Sequence, residues 1–123
     1  MDLSESLAAA EERAGAIWTL KQSAELNANL VRFSAGGGVD EHINEEVDVL
    51  LVGVKGSGVI EVDGHKHSLR AGTIALVPKG ARRSTRSESG DFAYLTVHRR
   101  RGPLRIGGLP GRPLSSYGGG DPG

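Results

Sequence analysis

The sequence predicts an all-β domain: antiparallel strands forming a barrel or sandwich, with a short N-terminal helix. Three observations carry this. Glycine numbers 19 in 123 residues, while 37% of residues are hydrophobic and 4% aromatic, a composition of short strands and frequent turns. Roughly eight apolar or alternating runs follow one another without helical patterns between them. Glycine-bounded turns at Gly56-Ser57-Gly58 and Asp63-Gly64 separate the central runs, the second having the residues a two-residue hairpin loop favours. The length suits one domain with a single core.

Composition also excludes functions. There is no cysteine, so neither a disulfide framework nor thiolate chemistry is available. The longest apolar run, residues 49–52, is far too short to span a bilayer. Asp2, Glu5, Glu11 and Glu12 without a basic start do not read as a secretory signal. A cytoplasmic protein with no membrane partner is expected. Net charge is zero, yet residues 1–63 hold 4 basic and 12 acidic side chains and residues 64–123 hold 11 and 3. A basic half invites a nucleic-acid reading, but no stacking aromatics accompany the arginines. Strands of the two halves are instead expected to interleave and mix the charges, with no nucleic acid bound.

Residues 3–14 carry a narrow helical stripe of Leu3, Leu7, Ala10 and Ala14. Asp2 or Ser4 is placed to cap its start, Glu5 and Arg13 suit its two ends, and Gly15 is placed to stop it. Residues 17–20 read as a first strand. Residues 25–33 alternate, with Leu26, Ala28 and Leu30 on one side and Asn27 and Asn29 on the other, a half-buried strand. Gly36, Gly37 and Gly38 end it.

Residues 47–54 are apolar in both phases apart from Asp48: Val49 and Leu51 point one way, Leu50, Val52 and Val54 the other. Such a strand needs cover on both faces. The outer cover is the N-terminal helix, the first strand or a second subunit, and a homodimer is expected. Residues 59–70 give a strand, a tight turn and another strand. Residues 73–77 form a strand stopped by Pro78, and residues 81–86 and 92–99 complete the set. Residues 102–123 contain eight glycines and four prolines and read as an extended or disordered tail that adds little to the barrel. The organisation is therefore a helical extension at 1–15, a barrel at 16–101 and a tail at 102–123.

Two glycine-punctuated segments resemble the two motifs of the cupin superfamily, small jelly-roll barrels. His42 and Gly56 match the first motif. Gly72, Pro78 and Gly80 match the second at its spacing, and Asp63-Gly64 supplies the hairpin between them. The resemblance covers about residues 25–99 and implies a cupin-type jelly roll. In that family a metal is held by two motif-one histidines, a glutamate and a motif-two histidine. Here His42 keeps the first position, Asn44 stands at the second and Arg83 at the last. The glutamate position falls on Val49, or on Asp48 if the loop is one residue shorter. A guanidinium has no lone pair to offer a cation, so no cofactor is expected at the usual cupin position.

The polar candidates then carry two readings each. His42-x-x-x-Glu46, with Glu41, Glu45 and Asp48 nearby, suits zinc, manganese or iron, or is an acidic loop with His42 hydrogen-bonded in a pocket. Tyr94, Thr96 and His98 share one face of a strand. If that face is interior, His98 meets His42, and a divalent metal at a non-standard site of His42, Glu46 and His98 becomes possible. His65 and His67 flank Lys66 at a hairpin and read as solvent-exposed. Arg82, Arg83 and Arg86 suit a carboxylate or phosphate, or Arg83 pairs with Asp48 or Glu46. Residues 99–101 read as a solvated basic run. No Gly-x-Ser-x-Gly or phosphate-binding loop is present, and no residue is assigned a catalytic role.

Three functions fit. The first is a small-molecule binding or sensing barrel with a pocket of His42, Asn44, Glu46, Arg83, Tyr94 and His98. The second is a metal-dependent oxygenase or isomerase with a rearranged site. The third is a protein-interaction module with a structural barrel.

Overall fold

A computed structural model of the chain describes residues 1–100. The tail expected at 102–123 lies outside the described residues. Helix α1 (Leu3–Ala10) is capped by Asp2, whose carboxylate accepts from the Glu5 amide at 3.0 Å. It ends at Ala10 rather than at residue 14. Glu11 turns to a φ of 57°, and Arg32 collects the Leu7 and Glu11 carbonyls through Nη1.

Nine strands follow among the described residues: β1 (Gly15–Thr19), β2 (Leu26–Phe33), β3 (Gly38–Ile43), β4 (Val49–Lys55), β5 (Ser57–Val62), β6 (His65–Arg70), β7 (Ile74–Val77), β8 (Arg82–Ser87) and β9 (Phe92–Arg99). They form a five-stranded sheet in the order β1-β2-β9-β4-β7 and a four-stranded sheet in the order β3-β8-β5-β6. Every pairing is antiparallel, and the two sheets make the jelly roll. Asp63 and Gly64 have φ of 50° and 86°, both positive, as a two-residue type I′ hairpin requires. β3 is a strand that the sequence pattern does not predict: Asp40, Glu41 and His42 stand together in its middle, and it lacks the alternation that marks the others.

The core between the sheets contains Val31, Val49, Leu51, Ile60, Leu69, Val77, Phe92 and Tyr94. Burying such side chains is the main stabilising term, on the order of 2 kcal/mol for each. A second cluster lies outside the five-stranded sheet, where Leu7 of α1 packs with Leu30 and Ala93, and Val54 and Leu95 lie against them.

β2 is buried on both faces, not half-buried. Val31 and Phe33 join the inner core while Leu30 joins the outer cluster, so Asn27 and Asn29, in phase with Val31, face the barrel interior. The apolar side of β2 turns outward because α1 and β1 cover it. The helix does not cover all of that outer face. Leu50 is paired with Leu76 and Val52 with Ile74; the β4 pair are half-buried, while Ile74 and Leu76 are 65% and 60% exposed.

The two charge halves do interleave. β3 pairs with β8, and Arg86 reaches Asp40 at 3.3 Å and Arg82 reaches Glu41 at 3.8 Å across that pair. These contacts are exposed and stabilise little.

Candidate functional site

Pairing places the polar candidates at one end of the barrel. His42 lies opposite Arg83, which lies opposite Val62. On the other sheet Asn27 lies opposite His98, and β4 begins at Val49 opposite Val77, just before the turn leading to β8. The end of β3, the start of β8, the end of β9 and the start of β2 therefore form one mouth.

A bulge sets the key residue. Between Val39↔Thr85 and His42↔Arg83, β3 advances three residues while β8 advances two. This extra residue shifts the phase, so Val39 and His42 both line the interior although strict alternation would separate them. Arg83 is 2% exposed. Its Nε donates to His42 Nε2 at 3.1 Å, and His42 Nδ1 lies 3.0 Å from the Asp40 carbonyl. A carbonyl only accepts and a guanidinium only donates, so the imidazole proton sits on Nδ1. Arg83 thus points into the barrel as expected, but it meets His42 there. Asp48, one of the two carboxylates expected to receive it, instead accepts from the Lys79 amide at 2.8 Å at the surface.

Deeper in, Thr85 Oγ1 accepts from the Val39 amide at 3.2 Å and lies 3.1 Å from Tyr94 Oη. That hydroxyl pair joins β3, β8 and β9 across the interior. His42, Arg83, Thr85 and Tyr94, with Val39, Leu51 and Ile60 as apolar wall, enclose a cavity of about 10 Å³, room for one water. On the outer face of the four-stranded sheet, across β8 from this cavity, a groove of about 500 Å³ is lined by Glu41, Glu61, Asp63, Arg82, Arg83 and Ser84. Arg83 and Ser84 border both spaces.

The other candidates separate. Asn44 is buried, and its Oδ1 accepts from the Glu46 and Val47 amides at 2.9 and 3.3 Å while its carbonyl accepts from the Gly80 amide at 2.7 Å. It builds the β3–β4 turn and ties it to the Pro78-Lys79-Gly80 turn, where Gly80 has a φ of 86°. Glu46 is half-buried and its carbonyl accepts from Arg99. His98 is 3% exposed on the face of Tyr94 and Thr96, which settles its phase as interior; its Nδ1 donates to the Arg99 carbonyl at 2.7 Å. His65 and His67 are exposed. Arg82 and Arg86 face outward against the β3 carboxylates, so Arg83 is the arginine of the three at the interior.

Sequence reasoning missed Thr85 and the two asparagines. Thr85 was within reach, since it follows Arg83 by two residues and so shares its face. Asn27 and Asn29 carried no signal, because a polar strand face normally turns to water.

The donor set does not fit a divalent cation. The atom His42 would offer, Nε2, faces a guanidinium hydrogen. Asn44 Oδ1 is committed to backbone amides. Among the described residues no three His, Asp or Glu side chains gather to hold a metal, so His42, Glu46 and His98 do not form a set.

Several solved structures share this architecture. The chain superimposes on the TT1209 protein of Thermus thermophilus with a TM-score of 0.72 and 24% identity, covering 83% of this chain and 97% of that one. A cupin-2 domain containing protein of Shewanella frigidimarina gives a TM-score of 0.69 at 13% identity, covering 81% and 94%. A cupin protein of Bacteroides fragilis gives 0.57 at 20% identity, covering 72% and 86%. No protein-family model matches the chain, and no curated protein matches it. The chain is a small cupin-fold domain. At these identities the likeness carries the fold alone.

Proposed function

We propose that this cupin barrel binds a small organic molecule at its mouth, around His42 and Arg83, without a divalent metal. The observation that carries the reading is the interior arginine: a cation 2% exposed, donating to a histidine at a bulge. Removing a cation from water is costly, so an arginine held at the interior marks a position to test for a role in binding. A metal-dependent oxygenase or isomerase would need ligands where this chain has a guanidinium. The space beside Arg83 holds one water, so binding a larger molecule proceeds with His42 leaving Arg83 and the mouth opening. A homodimer through the outer face of β4 and β7 belongs to the same reading, since Ile74 and Leu76 leave that face apolar. Cytoplasmic action is part of it; nucleic acid and membrane are not. No helix among the described residues is long and apolar enough to cross a bilayer.

The test is a fragment screen followed by amide shifts. Hits should move the amides of Asn44, Gly80, Arg83 and Thr85 saturably, and Arg83→Met should abolish the effect. A screen to millimolar concentration that leaves these amides unmoved would remove the binding reading and favour an interaction module.

A further inference from the structure

We propose that a second copy of this chain pairs backbone to backbone with the edge of β7, joining the two five-stranded sheets into one continuous sheet. This rests on the homodimer of the reading above and names the strand that makes it.

The two sheets end on β1, β7, β3 and β6. An edge strand offers N–H and C=O groups to any strand that approaches, and proteins block it with charges, bulges or proline. β1 and β3 each carry a register shift, and β3 adds Asp40 and Glu41. β6 carries Lys66 and Arg70. β7, Ile74-Ala75-Leu76-Val77, has no charge, no proline and no register shift against β4. It is the unguarded edge.

The direction of its backbone groups follows from β4. The Gly53 amide donates to the Thr73 carbonyl at 2.8 Å, and the Gly72 amide donates to the Gly53 carbonyl at 3.0 Å. Gly53 thus turns both groups toward β7. Bonding alternates along an antiparallel pair, so Leu51 and Val49 bond likewise to Ala75 and Val77 opposite them. Ile74 and Leu76 therefore aim their N–H and C=O groups away from β4, and among the described residues no strand lies beyond. Main-chain groups aimed outward call for an extended backbone, which an apolar face alone would not specify.

A second β7 fits this edge. Under a two-fold axis Ile74 lies opposite the partner's Leu76, and the two exchange N–H and C=O in both directions. The side chains agree with the backbone. On the outer face Leu95, Val52 and Ile74 stand in one row and Val97, Leu50 and Leu76 in the next. The pairing runs each row of one copy into the other row of its partner. Ile74 and Leu76, exposed in the single chain, become cross-strand neighbours.

Sedimentation and amide hydrogen exchange on the full chain, over a concentration series, test this. A dimer is expected at micromolar concentration. Its Ile74 and Leu76 amides should exchange at least about tenfold slower than in the diluted monomer, while those of Ala75 and Val77, held by β4, stay slow in both. Leu76→Pro removes an outward N–H that β4 does not use, a position where an edge strand tolerates proline. That variant should keep the barrel and sediment as a monomer. A dimer whose Ile74 and Leu76 amides exchange no slower than in the monomer would overturn the β7 pairing and leave the homodimer standing. So would a folded Leu76→Pro that dimerises like the wild type. A wild-type monomer would remove both, with binding at the mouth still read separately by the fragment screen.

Discussion

Arg83 and His42 form an asymmetric pair. The imidazole is the acceptor of a buried cation. His42→Ala takes an acceptor from buried Nε and should cost about 1–3 kcal/mol. Arg83→Met removes one side of the buried contact and leaves its partners behind, so it should cost more, about 3–5 kcal/mol. Thermal melts of both variants check this; an Arg83→Met protein as stable as wild type would show that the arginine's contacts add nothing to the fold. A second charged residue has a structural part. Asp91 accepts from Arg32 Nε and Nη2 at 2.8 and 3.0 Å and meets Lys55 at 2.9 Å. The Arg32 hydrogen bond, more than partial burial opposes it, holds the Asp91 carboxyl below its ordinary 3.8. A depressed folded value stabilises above the unfolded pKa and is lost as pH falls through the folded one. The melting temperature should therefore decline on acidification below about pH 4, and Asp91→Asn should flatten that limb. An unchanged acid limb in Asp91→Asn would show that the ion pair adds nothing.

At the scale of elements, α1 and β3 show what the sequence could and could not say. Asp2 as cap, the Asp63-Gly64 turn and the stop at Pro78 are legible because each is a local constraint on φ or on a donor. The strand β3 is hidden: Asp40, Glu41 and His42 interrupt its apolar residues, and its bulge breaks the two-residue period, under which His42 would face away from the interior side of Val39. Spacing from Gly80 places Arg83 correctly, because that segment runs without interruption from turn to strand. Its partner is missed because partners across a sheet depend on register, which a bulge alters. The face of β2 cannot be read either, since both faces are covered and the polar one lies inside. The docking of α1 is testable. Leu7, packed on Leu30 and Ala93, should lose about 2–3 kcal/mol on change to alanine. A loss below about 0.5 kcal/mol would place the helix off the sheet.

Across the whole molecule the two sheets have unlike outer surfaces. That of the four-stranded sheet carries Glu41, Arg82 and Arg86, while that of the five-stranded sheet carries Leu50, Val52, Ile74 and Leu76 toward its β7 edge. An uncharged face is self-complementary under two-fold symmetry, so sedimentation should find a dimer at micromolar concentration and Leu76→Lys a monomer with little change in melting temperature at high dilution. A clean wild-type monomer would contradict this. The central claim is that a cupin fold here works through an arginine and a histidine rather than through a metal ion. Elemental analysis of the whole protein, purified without chelator or affinity metal, tests it most directly, with Arg83→His and His42→Ala alongside. Substoichiometric zinc, iron, manganese and nickel are predicted in the wild type, with a gain of metal in Arg83→His, which restores a lone pair where the guanidinium stands. One equivalent of metal in the wild type, lost in His42→Ala, would contradict it.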